Sequence, residues 1–296
     1  SACSISRTNT PCAPIEPNGF ANLQFAALAN VRAGAPFFPA AYHAGDEPAF
    51  AIATAYLPWI PAREAQSLLK KRRRAIEALH ADPPRALLIQ AKGEVVSGGV
   101  NVEEFKGLDP SQGSALWSDL LGLIDRVESL PLPVVFRAHG LTLTAAFELS
   151  LACDFIVASE SAKFGLVEIV VGLTPSMGGT QRLAERAGSG RARQFVMTGG
   201  LYDAATMESW NVVDYIWPDD QLEEKTLKLA TRLANGPTKA HAMTKRIVRA
   251  YVEGGVPAAD RVTRREAAEL FGTEDLINAV DTFLEQGPGN ATFEGK

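Results

Sequence analysis

VVFRAHGLTLTAAFELSLACDFIVAS, residues 134–159, sets two short apolar runs around a glycine turn and a compact helical stretch. Residues 134–138 lack polar alternation, as expected of a strand covered on both faces. Residues 145–152 read as a short helix and 154–159 as the next strand. Upstream the pattern recurs. ALLIQA (86–91) is another continuously apolar run, and residues 114–130 form a helix with Leu116, Leu120, Leu123, Ile124 and Val127 on one side. Pro131 and Pro133 close it, since proline cannot continue a helix and restricts the residue before it.

Further out, residues 49–56 read as a strand. Residues 62–80 read as a helix with Ala65, Leu68, Leu69, Ile76 and Leu79 at spacings of three and four, stopped by Asp82-Pro83-Pro84. Residues 212–217 form a later strand. Strands alternating with helices predict an α/β fold with mostly parallel pairing. The remainder reads as helical: 222–234 capped by Asp219 and Asp220, 238–253 ended by Gly254-Gly255, then 258–271 and 273–286. The last opens on a Thr273 cap with Glu274 and Asp275 in its first turn. The division is therefore an N-terminal extension (1–47), an α/β core (48–199) and a helical C-terminal region (200–296), whose apolar stripes suit packing onto another subunit.

The chain has 296 residues, 46% hydrophobic and 21% charged, which excludes a disordered, collagenous or disulfide-stapled protein. A net charge of −5 gives no whole-chain pull toward nucleic acid or anionic membrane. Cys3, Cys12 and Cys153 offer neither a disulfide framework nor zinc-ligand spacing, so no metal is expected. No secretory leader and no membrane-spanning run is read, and a cytoplasmic protein is expected.

Three glycine-bearing turns follow strand ends: residues 96–101, 139–148 and 172–180. Turns at carboxyl ends of strands collect ligands in open α/β folds, and small residues let backbone N–H groups come close. Two such turns side by side would make an oxyanion hole. Glu148 and Glu168 each sit in an apolar run, where a carboxyl is costly unless it is paired or useful. His139 reads as a loop histidine and Asp154 as structural. Ser176 lacks the GxSxG elbow of a serine hydrolase. The basic run 70–74 is either a solvated face or a contact for phosphates.

The run SGGVNVEEF (97–105), followed by the ordered series FEL, CDF, AKFG, VEI, GGTQRL and TGG between 147 and 200, resembles the crotonase (enoyl-CoA hydratase/isomerase) superfamily. The resemblance spans about residues 86–233, with an echo at 271–284. It implies a spiral of β-β-α units with a helical C-terminal region that builds trimers, often paired into hexamers. It implies an acyl-CoA or other acyl thioester as substrate, with coenzyme A part of the substrate and no separate cofactor. Carried across, the backbone N–H groups of Val100 and Ala145 form the oxyanion hole. Glu148 activates water and Glu168 protonates Cα. Gly99, Gly172 and Phe283 contact substrate.

The implied reaction is hydration of a 2-enoyl thioester, or its reverse. Other enolate chemistry (isomerisation, C–C cleavage, thioester hydrolysis) and a non-catalytic binding subunit are the alternatives. The chain departs from the family's pattern in three places: LPWIPARE at 57–64, the bulkier Thr144-Ala145-Ala146 at the second donor, and Gln286 where a base is expected.

Overall fold

The computed structural model describes residues 52–56, 76–77, 79–81, 83–99 and 102–296. The N-terminal extension, most of the helix expected over 62–80 and the basic run 70–74 lie outside them. Five strands form one parallel sheet in the order β1-β2-β3-β5-β8: β1 (Ile52–Tyr56), β2 (Ala86–Gln90), β3 (Val134–Ala138), β5 (Phe155–Ser159) and β8 (Tyr215–Trp217). A smaller sheet holds β4 (Leu141–Leu143), β6 (Lys163–Gly165) and β7 (Tyr202–Asp203). There β4 and β6 are parallel, and β6 and β7 antiparallel.

The chain steps from one sheet to the other through tight corners. After β3, the turn at Gly140 (φ 52°) leads into β4 and then into α2 (Ala145–Leu151). After β5, a turn leads into β6 and then into a 3-10 turn, Glu168–Val171, followed by α3 (Gly179–Ala187). Ser97 bridges Thr142, so the segment after β2 runs beside β4 in the same way. This is a spiral of β-β-α steps.

The continuous apolar runs are buried on both faces, as read from sequence. Leu87, Ile89, Val134 and Phe136 face the larger core between the sheets and helices. Ala86, Leu88 and Val135 face a second cluster with Leu222, Leu229, Ala230 and Ala234 of α6 (Leu222–Ala234). Phe147 on α2 is fully buried, its ring 5.2 Å from Phe164 and 5.6 Å from Phe195. Each such side chain contributes about 1.5–3 kcal/mol by leaving water.

Local chemistry moves several expected boundaries. The helix read over 114–130 is α1 (Pro110–Glu128). It starts earlier because Asp109 and Gln112 form a reciprocal capping box and proline occupies the first turn. Asp154 precedes β5 rather than opening it. Its carboxylate accepts the Val134 N–H at 2.7 Å and pairs with Lys245 Nζ at 2.7 Å, which bears out a structural role. Residues 212–214 lie before β8, with Val212 and Val213 in the core.

Asp219 and Asp220 do not cap α6. Gln221 is the N-cap residue, without a side-chain bond, and Asp219 accepts hydrogen bonds from Ser161. The glycine break read at Gly254-Gly255 is present as a kink inside α7 (Thr238–Arg265), where Gly255 has φ 67°. The helix read over 258–271 ends at Arg265 and gives way to a 3-10 turn, Ala267–Gly272. The final helix α8 (Glu274–Gln286) has the Thr273 cap expected of it.

Lys245→Met should destabilise the protein by about 2–3 kcal/mol. Losing one partner of a buried pair costs roughly 3–5 kcal/mol, discounted here because both side chains keep some contact with solvent. The loss should shrink in acid as Asp154 protonates. Urea unfolding at two pH values checks both statements.

Among the described residues, no helix is long and apolar enough to cross a membrane. The C-terminal helices leave much apolar surface open, including Tyr251 and Val256 on α7 and Ile277, Val280 and Leu284 on α8, the last three spaced as one helical face.

Candidate active site

Three pieces of chain meet where the small sheet ends. Leu143 N–H donates to Ser97 O at 3.2 Å, and Thr144 N–H donates to Gly165 O at 2.9 Å. Residues 97–99, 142–145 and 165–168 therefore lie side by side. Gly99 has φ 125°, and a Cβ placed on it would stand 3.8 Å from the Thr144 side chain. Two of the three turns singled out in sequence are thus packed against each other. Ala145, the expected second donor, is the first residue of α2. Val100, the expected first donor, lies outside the described residues.

Glu148 lies one turn into α2 and is 2% exposed. Among the described residues it has no basic partner in a hydrogen bond. Its Oε2 accepts the backbone N–H groups of Met177 and Gly179, both at 2.8 Å. Gly178, at φ 96°, turns the chain so that these amides point at the carboxylate. Arg182 spends its guanidinium on Asp125 at 3.0 Å and Glu128 at 2.6 Å. Burial pushes the Glu148 carboxyl up to about 7. The Gly179 amide opposes the rise, the nearby Glu168 carboxylate adds to it, and the Met177 amide and Arg182 oppose it.

Glu168 opens the 3-10 turn that follows β6. Both of its carboxyl oxygens are buried without a hydrogen-bond partner among the described residues. Burial raises its pKa as well. The turn is capped by Gly172 in the left-handed conformation, φ 74°, with Gly172 exposed. The apolar run around Glu168 is not wholly sunk in the core, since Val170 is 80% exposed.

Thus Glu168 comes within electrostatic range of Glu148, and Gly99 is brought against Thr144 and the start of α2. Phe283 stands on α8, 57% exposed, beside the open apolar face of that helix. His139 is a loop histidine whose Nε2 lies 2.9 Å from Gly93 O, with its pKa lowered by burial. Ser176 Oγ donates to Thr174 O and, among the described residues, has no base in a hydrogen bond with it. The amides of Met177 and Gly179 were not anticipated as holders of Glu148. The signal available was the Gly178-Gly179 pair just ahead of a helix.

A parallel β-β-α spiral of this kind, followed by helices, is the crotonase fold. The enoyl-CoA hydratase/isomerase family model matches residues 65–296. A Rhizobium meliloti protein described as "Probable enoyl-CoA hydratase" is 33% identical over 218 residues, covering 73% of this chain and 84% of its own. The mitochondrial enoyl-CoA hydratase of Pongo abelii is 26% identical over 224 residues, covering 75% and 77%. The crystal structure of enoyl-CoA hydratase from Bacillus anthracis superposes with a TM-score of 0.75 at 26% identity, covering 85% of this chain and 98% of that one. The chain belongs to the enoyl-CoA hydratase/isomerase family and is an enzyme.

Proposed function

We propose that this protein adds water to a 2-enoyl-CoA, or removes it in reverse. The observation that supports this most directly is the pair of acids: Glu168 with two buried oxygens unpartnered among the described residues, in electrostatic range of Glu148, which is held by two amides with its pKa pushed up to about 7. Water addition needs one carboxylate to take a proton and one carboxylic acid to give one, and neighbouring acids with separated proton affinities do both.

Glu148, ionised above about pH 7, orients a water and removes its proton as the oxygen attacks Cβ. Charge moves to the thioester oxygen, which the backbone N–H groups of Ala145 and Val100 hold. Glu168, whose hold on a proton is strengthened by burial, delivers a proton to Cα. After each hydration Glu148 gives up the proton taken from water and Glu168 regains one, which restores the starting state. The sum is redox-neutral, so the reaction calls for no cofactor beyond the coenzyme A carried by the substrate. Gly99 and Gly172 leave room for the thioester, and Phe283 offers a ring to the coenzyme.

The working assembly is a homotrimer or a dimer of trimers, supported by the open apolar faces of α7 and α8. Light scattering after gel filtration tests it, and a monomer would refute it. A cytoplasmic setting suits Cys153, a buried free thiol.

Purified protein mixed with crotonyl-CoA should bleach the conjugated absorbance. A 3-enoyl-CoA and a carrier-protein thioester serve as parallel substrates. Turnover confined to the 3-enoyl substrate would make the enzyme an isomerase, and no turnover on any of the three would remove the hydratase reading.

A further inference from the structure

Thr144 combines two costs with no return among the described residues. Its backbone sits at φ 49°, ψ −125°, a region that penalises side chains, and a β-branched one most of all. The other non-glycine residue with positive φ among those described is Asn211, a type that tolerates it. Thr144 is also 4% exposed, and its Oγ1 is buried without a hydrogen-bond partner among the described residues. A threonine hydroxyl rotates freely to find a partner, and at the residue before a helix it ordinarily caps an amide of the first turn. Here there is no side-chain cap on α2.

The position of the hydroxyl points to what it serves. It lies against Gly99, with Oγ1 3.8 Å from where a Cβ on that glycine would be, and it belongs to the residue immediately before the Ala145 N–H. Glycine at 144 would adopt this backbone without strain and leave no orphan oxygen. Threonine keeps both penalties, and an acceptor brought in by a bound substrate between Gly99 and the start of α2 would account for the second.

We propose that Thr144 is a catalytic residue whose hydroxyl donates a side-chain hydrogen bond to the substrate's thioester oxygen, beside the backbone N–H of Ala145. The proposal rests on the hydratase reading and deepens it. A donor aimed at this oxygen strengthens its bond as negative charge collects there, so it favours the enolate over the ground-state carbonyl. No covalent bond to Thr144 is made, and its proton stays on the hydroxyl throughout.

The test uses Thr144→Val, which keeps shape and branching but lacks the hydroxyl, and Thr144→Ser, which keeps the hydroxyl. Thr144→Gly also removes the hydroxyl, and it relaxes the backbone, so it folds even where valine does not. Two readouts are taken: kcat with crotonyl-CoA, and the enolate absorbance of bound acetoacetyl-CoA. Valine and glycine should each lower kcat about a hundredfold and reduce the enolate signal. Serine should fall much less in both. A glycine or valine variant equal to the wild type in kcat and enolate signal overturns the proposal and leaves the hydratase reading standing. A wild-type protein that neither turns over nor binds a thioester removes both.

Discussion

Glu148→Gln should abolish most turnover and at the same time make the protein more stable above neutral pH. General acid–base groups contribute roughly 10²–10⁴-fold, so kcat should fall at least a hundredfold, and Glu168→Gln should do likewise. The stability gain follows from proton linkage. In the unfolded chain Glu148 gives up its proton near 4.5, whereas in the fold it keeps it to about 7. The native state therefore binds more protons between those values, and stability falls as pH rises through them. Above both values the carboxylate is ionised at a cost of about 3 kcal/mol, since each pH unit is worth about 1.4 kcal/mol. A glutamine stays neutral and still offers Oε1 to the Met177 and Gly179 amides. Thermal melts should show the variant ahead of wild type at pH 8, with the gap closing toward pH 4.5. A gap that widens in acid would refute the assignment of burial as the cause. The pH dependence of kcat/KM in the wild type should carry an acid limb near 7.

Gly179→Ala should be nearly as damaging to activity as removing the carboxylate. A methyl there would lie 2.6 Å from Glu148 Cγ and 2.9 Å from Oε2, inside any tolerated contact. The backbone of residue 179 is helical, so the substitution acts through the clash. Either the acid or the 177–179 corner must move. A shift of about 1 Å in a catalytic group costs about a hundredfold, and overpacking adds about 1–3 kcal/mol of destabilisation. Gly113→Ala, in α1 with no atom within 4 Å of the added methyl, is the control. It should gain about 0.5–1 kcal/mol and leave kcat alone. Equal activity in the two variants would show that the contact at Gly179 does not position the acid.

The fold was legible where burial and periodicity agree. ALLIQA and VVFRA are strands because the sheet is covered on both faces, and α6 follows its apolar stripe closely. Glu148 and Glu168 stood out as ionisable groups in apolar runs, but only the family resemblance joined them as a pair. Other features depended on contacts that spacing does not carry. Asp109 extends α1 through a reciprocal bond with Gln112. Asp219 sits ahead of α6 like a cap yet serves Ser161, far away in sequence. The run around Glu168 reads as core, but its 3-10 geometry turns Val170 outward. Met177 and Gly179 act on Glu148 through main-chain atoms, whose role leaves no trace in side-chain type. Thr144 was visible as a bulky departure, but its strain and lone hydroxyl exist only once the corner is built.

The grip of two peptide amides on Glu148 ties basicity to the shape of one hairpin of chain. Those bonds favour the charged acid, so lengthening either would raise its proton affinity and slow its release of a proton at neutral pH. The Met177 side chain packs against the larger core, so it can be exchanged without loosening the acid only while the amide beneath it stays put. Core packing and the tuning of the acid are carried by different atoms of the same residue.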